Sequence, residues 1–361
     1  MSFPAETEGF QVDGPGNPPD FHKRLFKLKE VGDYDVDIKI DACGVCASDV
    51  HTVTGGWGQQ NFPLCVGHEI VGHAVWVGPK VTLVKEGQRV GVGAQVYSCG
   101  ECKECKEDNE TYCQVNLINT YGSKWPENGL ISQGGFASHI RAHEFWVFPI
   151  PDSLSSKTVA PMLCAGITAY SPLSRFGGKK GAKVGIVGIG GIGHFGIMFA
   201  KAMGYETWAI SRSRAKEAEA RALGADGFIA TAEEGWEKAH RCTFDLIVNC
   251  ASSSTGFDLA KYLSMMSVHG RWISVGMPEE QGTEIKAQNL VSNGVLMGAT
   301  HLGSRKEMLA MLTLAAEKGL EGTVEELKLS EESLKEAVVR VKKGDVRYRF
   351  TVTGYNDVFG E

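Results

Sequence analysis

Four cysteines fall within one short stretch, Cys99, Cys102, Cys105 and Cys113, spaced C-x2-C-x2-C-x7-C. Four thiolates this close can converge on one tetrahedral ion with no position left for water, which describes a structural zinc site. Bacterial ferredoxins also open with C-x2-C-x2-C, but continue with x3-C-P. Here seven residues intervene before Cys113 and Gln114 follows it. Zinc is therefore favoured over an iron–sulfur cluster, and four unliganded surface thiols at this spacing are the weaker alternative. A second set is dispersed: Cys46 in CGVCASDVH, His68 and Glu69 in VGHEIVGH, and Cys164 in MLCAGITAY. Two thiolates and an imidazole leave a fourth position for water or substrate, as a catalytic zinc requires. Taken singly, each is more often a core residue than a ligand, because buried cysteine is common. HEIVGH is not a zincin motif: its histidines are five apart rather than four, and its glycine opposes a helix.

A third pattern is VGIVGIGGIGHFG. Its turn comprises Gly188, Ile189, Gly190, Gly191, Ile192 and Gly193, with glycines at G-x-G-x-x-G spacing. Between a strand and a helix, such glycines let the backbone turn tightly and approach a pyrophosphate at the helix N-terminus. Alone the motif is weak; inside a βαβ unit it becomes specific. The end of the next strand decides between the two nicotinamide dinucleotides. An enzyme using NAD wants Asp or Glu there for the ribose 2′-OH. Instead the chain reads Ser211, Arg212, Ser213, Arg214, Ala215, Lys216, and Glu206 comes too early. Hydroxyl, guanidinium and ammonium groups suit the 2′-phosphate of NADP. The bland reading, a solvated basic turn, is disfavoured by its position.

The elements that must carry these residues fall into two textures. From about residue 24 to 96, short runs such as VDIKIDA and HAVWVG alternate with Gly/Pro-rich turns, a β-rich pattern. From about 159, KVGIVGIG reads as a buried strand, HFGIMFAKAMG as a helix, ETWAIS as a strand, and RAKEAEARALGA as a helix ended by Gly224. FDLIVNCA, RWISVG and GVLMGAT read as further buried strands. This βαβ alternation implies an open parallel sheet. After about 301, two helical patterns and a closing strand, VRYRFTVTG, are expected.

Bulk properties set outer limits. The chain of 361 residues suits two domains rather than one core. With 37 basic against 43 acidic side chains, it has no general attraction for nucleic acid or anionic membranes. The N-terminal residues lack an apolar h-region, so no secretory signal is visible. Ten cysteines without such a signal argue for metal rather than disulfides, and for a cytoplasmic protein.

GHEIVG, the four-cysteine lobe, CAGITAYSPL and GIGGIGH together resemble the zinc-containing medium-chain alcohol dehydrogenases. SRSRAK and KGDVRYRFTV favour their cinnamyl alcohol dehydrogenase branch, which includes broad-specificity NADP-dependent fungal members. The resemblance implies an α/β chain: a GroES-like β-rich catalytic domain (1–158 and 302–361, zinc lobe about 95–115) and a doubly wound Rossmann domain for NADP (159–301). It implies two zinc ions per subunit, and a homodimer whose Rossmann sheets join. By position, Ser48 and His51 match the family's proton relay, Asp49 the partner that orients His68, and Glu69 a transient zinc ligand. Ser48, Thr168, Cys250, Gly276, Thr300, His301 and Leu302 match positions lining the cofactor, while Trp57 and His301 are candidates for the substrate pocket. Cys65-Val66 precedes Gly67 where many relatives have Val-Pro, and Cys65 is expected to pack rather than ligate. The implied reaction is hydride transfer between NADP(H) and primary alcohols or aldehydes, aromatic, α,β-unsaturated and medium-chain ones among them. A metal-free quinone or enal reductase of the same superfamily is the alternative, against which the paired ligand sets argue. A zinc-ribbon nucleic-acid module would leave the glycine turn unexplained, and a crystallin-like storage role should have lost the metal ligands.

Overall fold

A computed structural model describes residues 5–253, 257–277, 279 and 285–360. The chain forms two compact units, Met1–Cys164 with Ser304–Glu361, and Ala165–Gly303. These boundaries lie six residues after the expected 158/159 junction and two after the expected 301/302 junction.

The first unit is built on a seven-stranded sheet. Its path runs Val324–Lys328, Arg349–Thr353, Asp35–Val45, Ile70–Val77, Arg89–Val92 and Val147–Pro149, and His139–His143 also pairs with Asp35–Val45. Asp35–Val45 is nearly all buried, because it has strand partners on both sides and side chains packed on both faces. Its β-branched Val36, Ile38, Ile40 and Val45 join Ile70, Val90, Phe136, Phe350 and Val352 in one core. One charge pair is buried in that sheet. Arg141 sits opposite Asp37 in register and donates to both carboxylate oxygens, at 2.6 and 2.9 Å; this double, charge-assisted bond offsets only part of the desolvation, and burial still raises the Asp37 carboxyl.

Register also positions the chemistry. Cys43 pairs with Ile70, and Val45 with Phe350. The residue leaving one strand (Cys46), those entering its neighbour (His68 and Glu69) and the one opening the third (Arg349) therefore gather at one end of the sheet. By contrast, the four-cysteine lobe has little core of its own. It is a four-residue helix, Lys103–Lys106, with no buried residue, and the 3-10 turn Glu110–Tyr112. Glu110 ties it down by accepting from the backbone N–H of Arg305, whose guanidinium donates to the carbonyls of Phe145 and Val147.

The second unit carries a six-stranded, all-parallel sheet in the order Gly227–Ala230, Glu206–Ser211, Lys183–Val187, Phe244–Asn249, Met266–Ser274, Leu296–Ala299. Strand order reverses between Lys183–Val187 and Phe244–Asn249, the switch point of a doubly wound fold. Ile210, Ile229, Phe244, Ile247 and Trp272 fill its core. Two expectations need correction. The strand in GVLMGAT is not buried: all of Leu296–Ala299 is exposed, because it is the edge of the sheet. RAKEAEARALGA is not one helix but a 3-10 turn, Arg214–Lys216, followed by the short helix Glu217–Ala222. The strand Val324–Lys328, too charged to stand out by alternation, is an addition.

Candidate active site

Cys46 is the N-cap of the helix Ala47–Thr54, and its own N–H donates to Asp49 Oδ2 at 2.8 Å. Asp49 Oδ1 accepts from the N–H of Gly67 at 3.1 Å and faces His68 Nδ1 at 2.8 Å. One buried carboxylate thus fixes both the helix start and the imidazole. With Nδ1 engaged by Asp49, Nε2 is turned to the cysteines and lies 3.2 Å from Cys164 Sγ. Donor atoms of Cys46, His68, Glu69 and Cys164 all lie within 4.8 Å of one another, and all four residues are buried. A carboxylate on the far nitrogen of a ligating histidine is the usual support for a metal-binding imidazole.

The four groups shift one another strongly, and Cys164 and His68 are both raised. Cys46 is held well below the ordinary thiol range by the hydrogen bond from Cys164, against burial and with help from Arg349 and His68. Glu69 is pushed up to about 7 by burial, which Arg349 opposes. The Glu69–Arg349 pair was not legible in the sequence. Glu69 Oε1 accepts from Arg349 Nη2, whereas Glu69 Oε2 and Arg349 Nε are buried without hydrogen-bond partners. Gly44 makes room for this carboxylate: a Cβ there would lie 2.0 Å from Glu69 Oε2. Two thiols, a directed imidazole and a carboxylate with one unpartnered oxygen, buried together, are a donor set that fits a zinc ion. At the edge of the cluster, Ser48 Oγ lies 3.6 Å from Cys46 Sγ. His51 is one turn further along the same helix, and Trp57 stacks on its ring. Cys65 stays outside the donor group, fully buried, with its thiol 3.5 Å from the carbonyl of Gly134.

In the lobe, four sulfur–sulfur separations are 3.9 Å (Cys99–Cys105), 3.5 Å (Cys102–Cys105), 3.8 Å (Cys102–Cys113) and 3.5 Å (Cys113–Cys99). Tetrahedral zinc with bonds near 2.3 Å needs edges of about 3.8 Å. The thiols already describe that tetrahedron. Burial would raise Cys113, but backbone groups of Cys99, Asn116 and Val115 hold it down at about 6, ready to be a thiolate.

In the second unit, the glycine turn leaves the strand Lys183–Val187 and enters the helix Gly193–Ala202. Gly188 has φ 84°, and a Cβ on Gly193 would meet the Gly188 carbonyl at 1.8 Å. At Gly190 a Cβ would meet nothing within 4 Å, so the backbone there is open to a ligand. Gly188, Ser211, Cys250, Gly276 and Thr300 lie at or just past the carboxyl ends of five neighbouring parallel strands, where ligands bind in open α/β sheets. The Thr300 hydroxyl is buried without a partner. Thr168 is buried in the helix Ala165–Phe176, Leu302 is buried, and His301 is exposed. Among the basic residues, Arg214 is bound to Glu233 and Glu217. Lys216 donates to the Ile189 carbonyl at 2.6 Å, within the glycine turn. Arg212 and Ser213 are exposed beside it.

Comparisons agree with this geometry. Residues 32–152 match the alcohol dehydrogenase GroES-like domain, and residues 191–317 match the zinc-binding dehydrogenase domain. Over 364 aligned residues and the whole of both chains, the sequence is 47% identical to NADP-dependent alcohol dehydrogenase 6 of Saccharomyces cerevisiae. It is 38% identical to cinnamyl alcohol dehydrogenase 2 of Arabidopsis thaliana, over 93% of this chain and 89% of that protein. Among solved structures, a cinnamyl alcohol dehydrogenase of Sorghum bicolor superposes with a TM-score of 0.89 at 33% identity, over 96% of this chain and 97% of that one. The corresponding enzyme of Helicobacter pylori, complexed with NADP(H), gives 0.86 at 28%, over 97% and 98%. The chain therefore belongs to the zinc-binding alcohol dehydrogenases with a GroES-like domain, as an oxidoreductase of alcohols and aldehydes related to the cinnamyl alcohol dehydrogenases.

Proposed function

We propose that the protein reduces aromatic, α,β-unsaturated and medium-chain aldehydes with NADPH, and oxidises the corresponding primary alcohols, using one catalytic and one structural zinc per subunit. The observation that carries the reading is the buried convergence of Cys46, His68 and Cys164, with Asp49 directing the imidazole. Zinc held by these three side chains would supply a Lewis acid for the substrate oxygen, and NADP(H) in the Ala165–Gly303 unit would supply or accept the hydride. The chain's own residues do the rest. Asp49 keeps His68 in the tautomer whose Nε2 is the donor. Arg349 holds one oxygen of Glu69, leaving the other as an exchangeable ligand when water or substrate comes and goes. Ser48 Oγ receives the proton from an alcohol substrate, or returns it to a nascent one, and His51 passes it onward.

Cofactor preference rests on Arg212, Ser211 and Ser213, with Lys216 bracing the glycine turn. A homodimer is supported by the exposed edge strand: Leu296 and Met297 are 55% and 36% exposed, next to Val268 and Val291 at 69% and 78%. An apolar, unpaired strand edge invites a second sheet. All ten cysteines are unpaired, which suits the reducing cytoplasm. Replacing Ser48 by Ala tests the chemistry. Turnover should fall within the 10²–10⁴-fold span of acid–base catalysis, and His51→Gln should be milder because water can substitute. Near-normal single-turnover hydride transfer in Ser48→Ala rules out this proton path.

A further inference from the structure

The helix Ala47–Thr54 carries both proposed proton-handling residues and ends at Gly55, in the left-handed conformation with φ 78°. The N–H of Gly56 donates to the His51 carbonyl at 2.8 Å, closing the last turn. Gly58, on the other side of Trp57, is left-handed as well, with φ 86°. Side chains with a Cβ are strained in that conformation. The Gly-Gly-Trp-Gly run is thus the sequence's means of folding the chain back along the helix it has just left. Trp57 arrives on His51: the ring centroids are 4.8 Å apart and the planes only 22° from parallel. Five residues lie between the partners, so the turn after the helix is enough to bring the two rings together. Burial does not account for this tryptophan, which is 37% exposed.

We propose that Trp57 is a positioning residue for His51, fixing the plane of the imidazole through the stack, and that the Gly55 and Gly58 turns exist to deliver it. The inference rests on the reading of His51 as the outer member of the proton path. An imidazole on a half-buried helix face can rotate about two side-chain bonds, whereas a relay needs one nitrogen held where the proton arrives. A stacked ring pair restricts rotation of the imidazole plane. Trp57 itself gains and loses no proton.

The rival role for Trp57 is a wall of the substrate pocket, and a mutant cycle separates the two. In the zinc- and NADPH-loaded enzyme, Trp57→Leu should slow single-turnover hydride transfer to benzaldehyde by roughly two- to tenfold, the worth of one aromatic pair. KM should change little, and Trp57→Phe should restore most of the rate. In a His51→Gln background, Trp57→Leu should have no further effect. An equal loss in that background, or an effect confined to KM for bulky aldehydes, overturns the proposal while leaving His51 in its role. If His51→Gln alone leaves the rate and its pH profile unchanged, the relay reading fails and this inference with it. The stack is also read without turnover. His51→Gln should alter tryptophan emission when Trp57 is present and not in Trp57→Phe. An identical change in both backgrounds shows that the rings are not stacked in solution.

Discussion

Arg349 and Glu69 form a fully buried ion pair in which one carboxylate oxygen accepts from the guanidinium and the other is left without a hydrogen-bond partner. The partners are 280 residues apart in sequence, and the antiparallel register of Arg349–Thr353 with Asp35–Val45 brings them together. Removing one member strands the other charge in the interior. Arg349→Leu should therefore destabilise the protein by about 3–5 kcal/mol, read as a lower urea midpoint, and Glu69→Gln added to it should recover part of the loss. A variant as stable as the wild type contradicts a buried, ionised pair.

The two thiol clusters should respond differently to the same substitution. Cys46→Ser should lose one zinc and nearly all turnover while keeping the fold. Cys102→Ser should lose the other zinc and destabilise the lobe, whose short helix buries nothing of its own, because a structural metal contributes folding energy. Metal analysis of the wild type should give two zinc ions per chain; one ion, or iron with visible absorbance, is incompatible with the assignment.

For the cofactor, Arg212 and Lys216 should have separable duties. A charge-assisted hydrogen bond contributes about 1.5–3 kcal/mol, so Arg212→Ala should lower kcat/KM for NADPH by roughly ten- to a hundredfold and leave NADH almost unchanged. Lys216 also holds the Ile189 carbonyl, so Lys216→Ala should weaken both cofactors, NADPH the more. Equal NADPH and NADH efficiencies in the wild type remove the basis for both expectations.

Stability should fall in mild acid for a reason remote from the metal clusters. Burial, reinforced by Lys39, depresses His139 from 6.5 to about 4. A depressed histidine binds its proton more readily when unfolded, so its contribution is whole above about pH 6.5 and is lost as pH falls toward 4. Urea midpoints at pH 7 and pH 5 should differ less in His139→Asn than in the wild type. The same drop in both proteins means His139 is not the sensor.

What the sequence made legible follows from range. The cysteine quartet and the glycine turn are local, and their spacing alone implies convergence. The strand–helix alternation around them exposed the parallel sheet. Cys46, His68, Glu69 and Cys164 span more than a hundred residues, so spacing could not bring them together, and it was the ligand chemistry of two thiolates and an imidazole that grouped them. Arg349 was missed because an arginine in KGDVRYRFTV looks like any surface charge until register places it opposite the end of another strand. Leu296–Ala299 misled for the converse reason: an apolar edge strand and a buried one have the same composition. The partners of Arg214 and Lys216 were invisible because both depend on which acceptor the folded turn presents.

Aldehyde reduction by the zinc-loaded enzyme tests the central claim most directly, with NADPH and NADH compared across cinnamaldehyde, benzaldehyde, hexanal and acetaldehyde at neutral pH. NADPH with cinnamaldehyde, benzaldehyde or hexanal should give the highest kcat/KM, since each buried methylene contributes about 0.8 kcal/mol, and Cys46→Ser should abolish the activity. Acetaldehyde with NADH as the best pair, or full activity in Cys46→Ser, would contradict it.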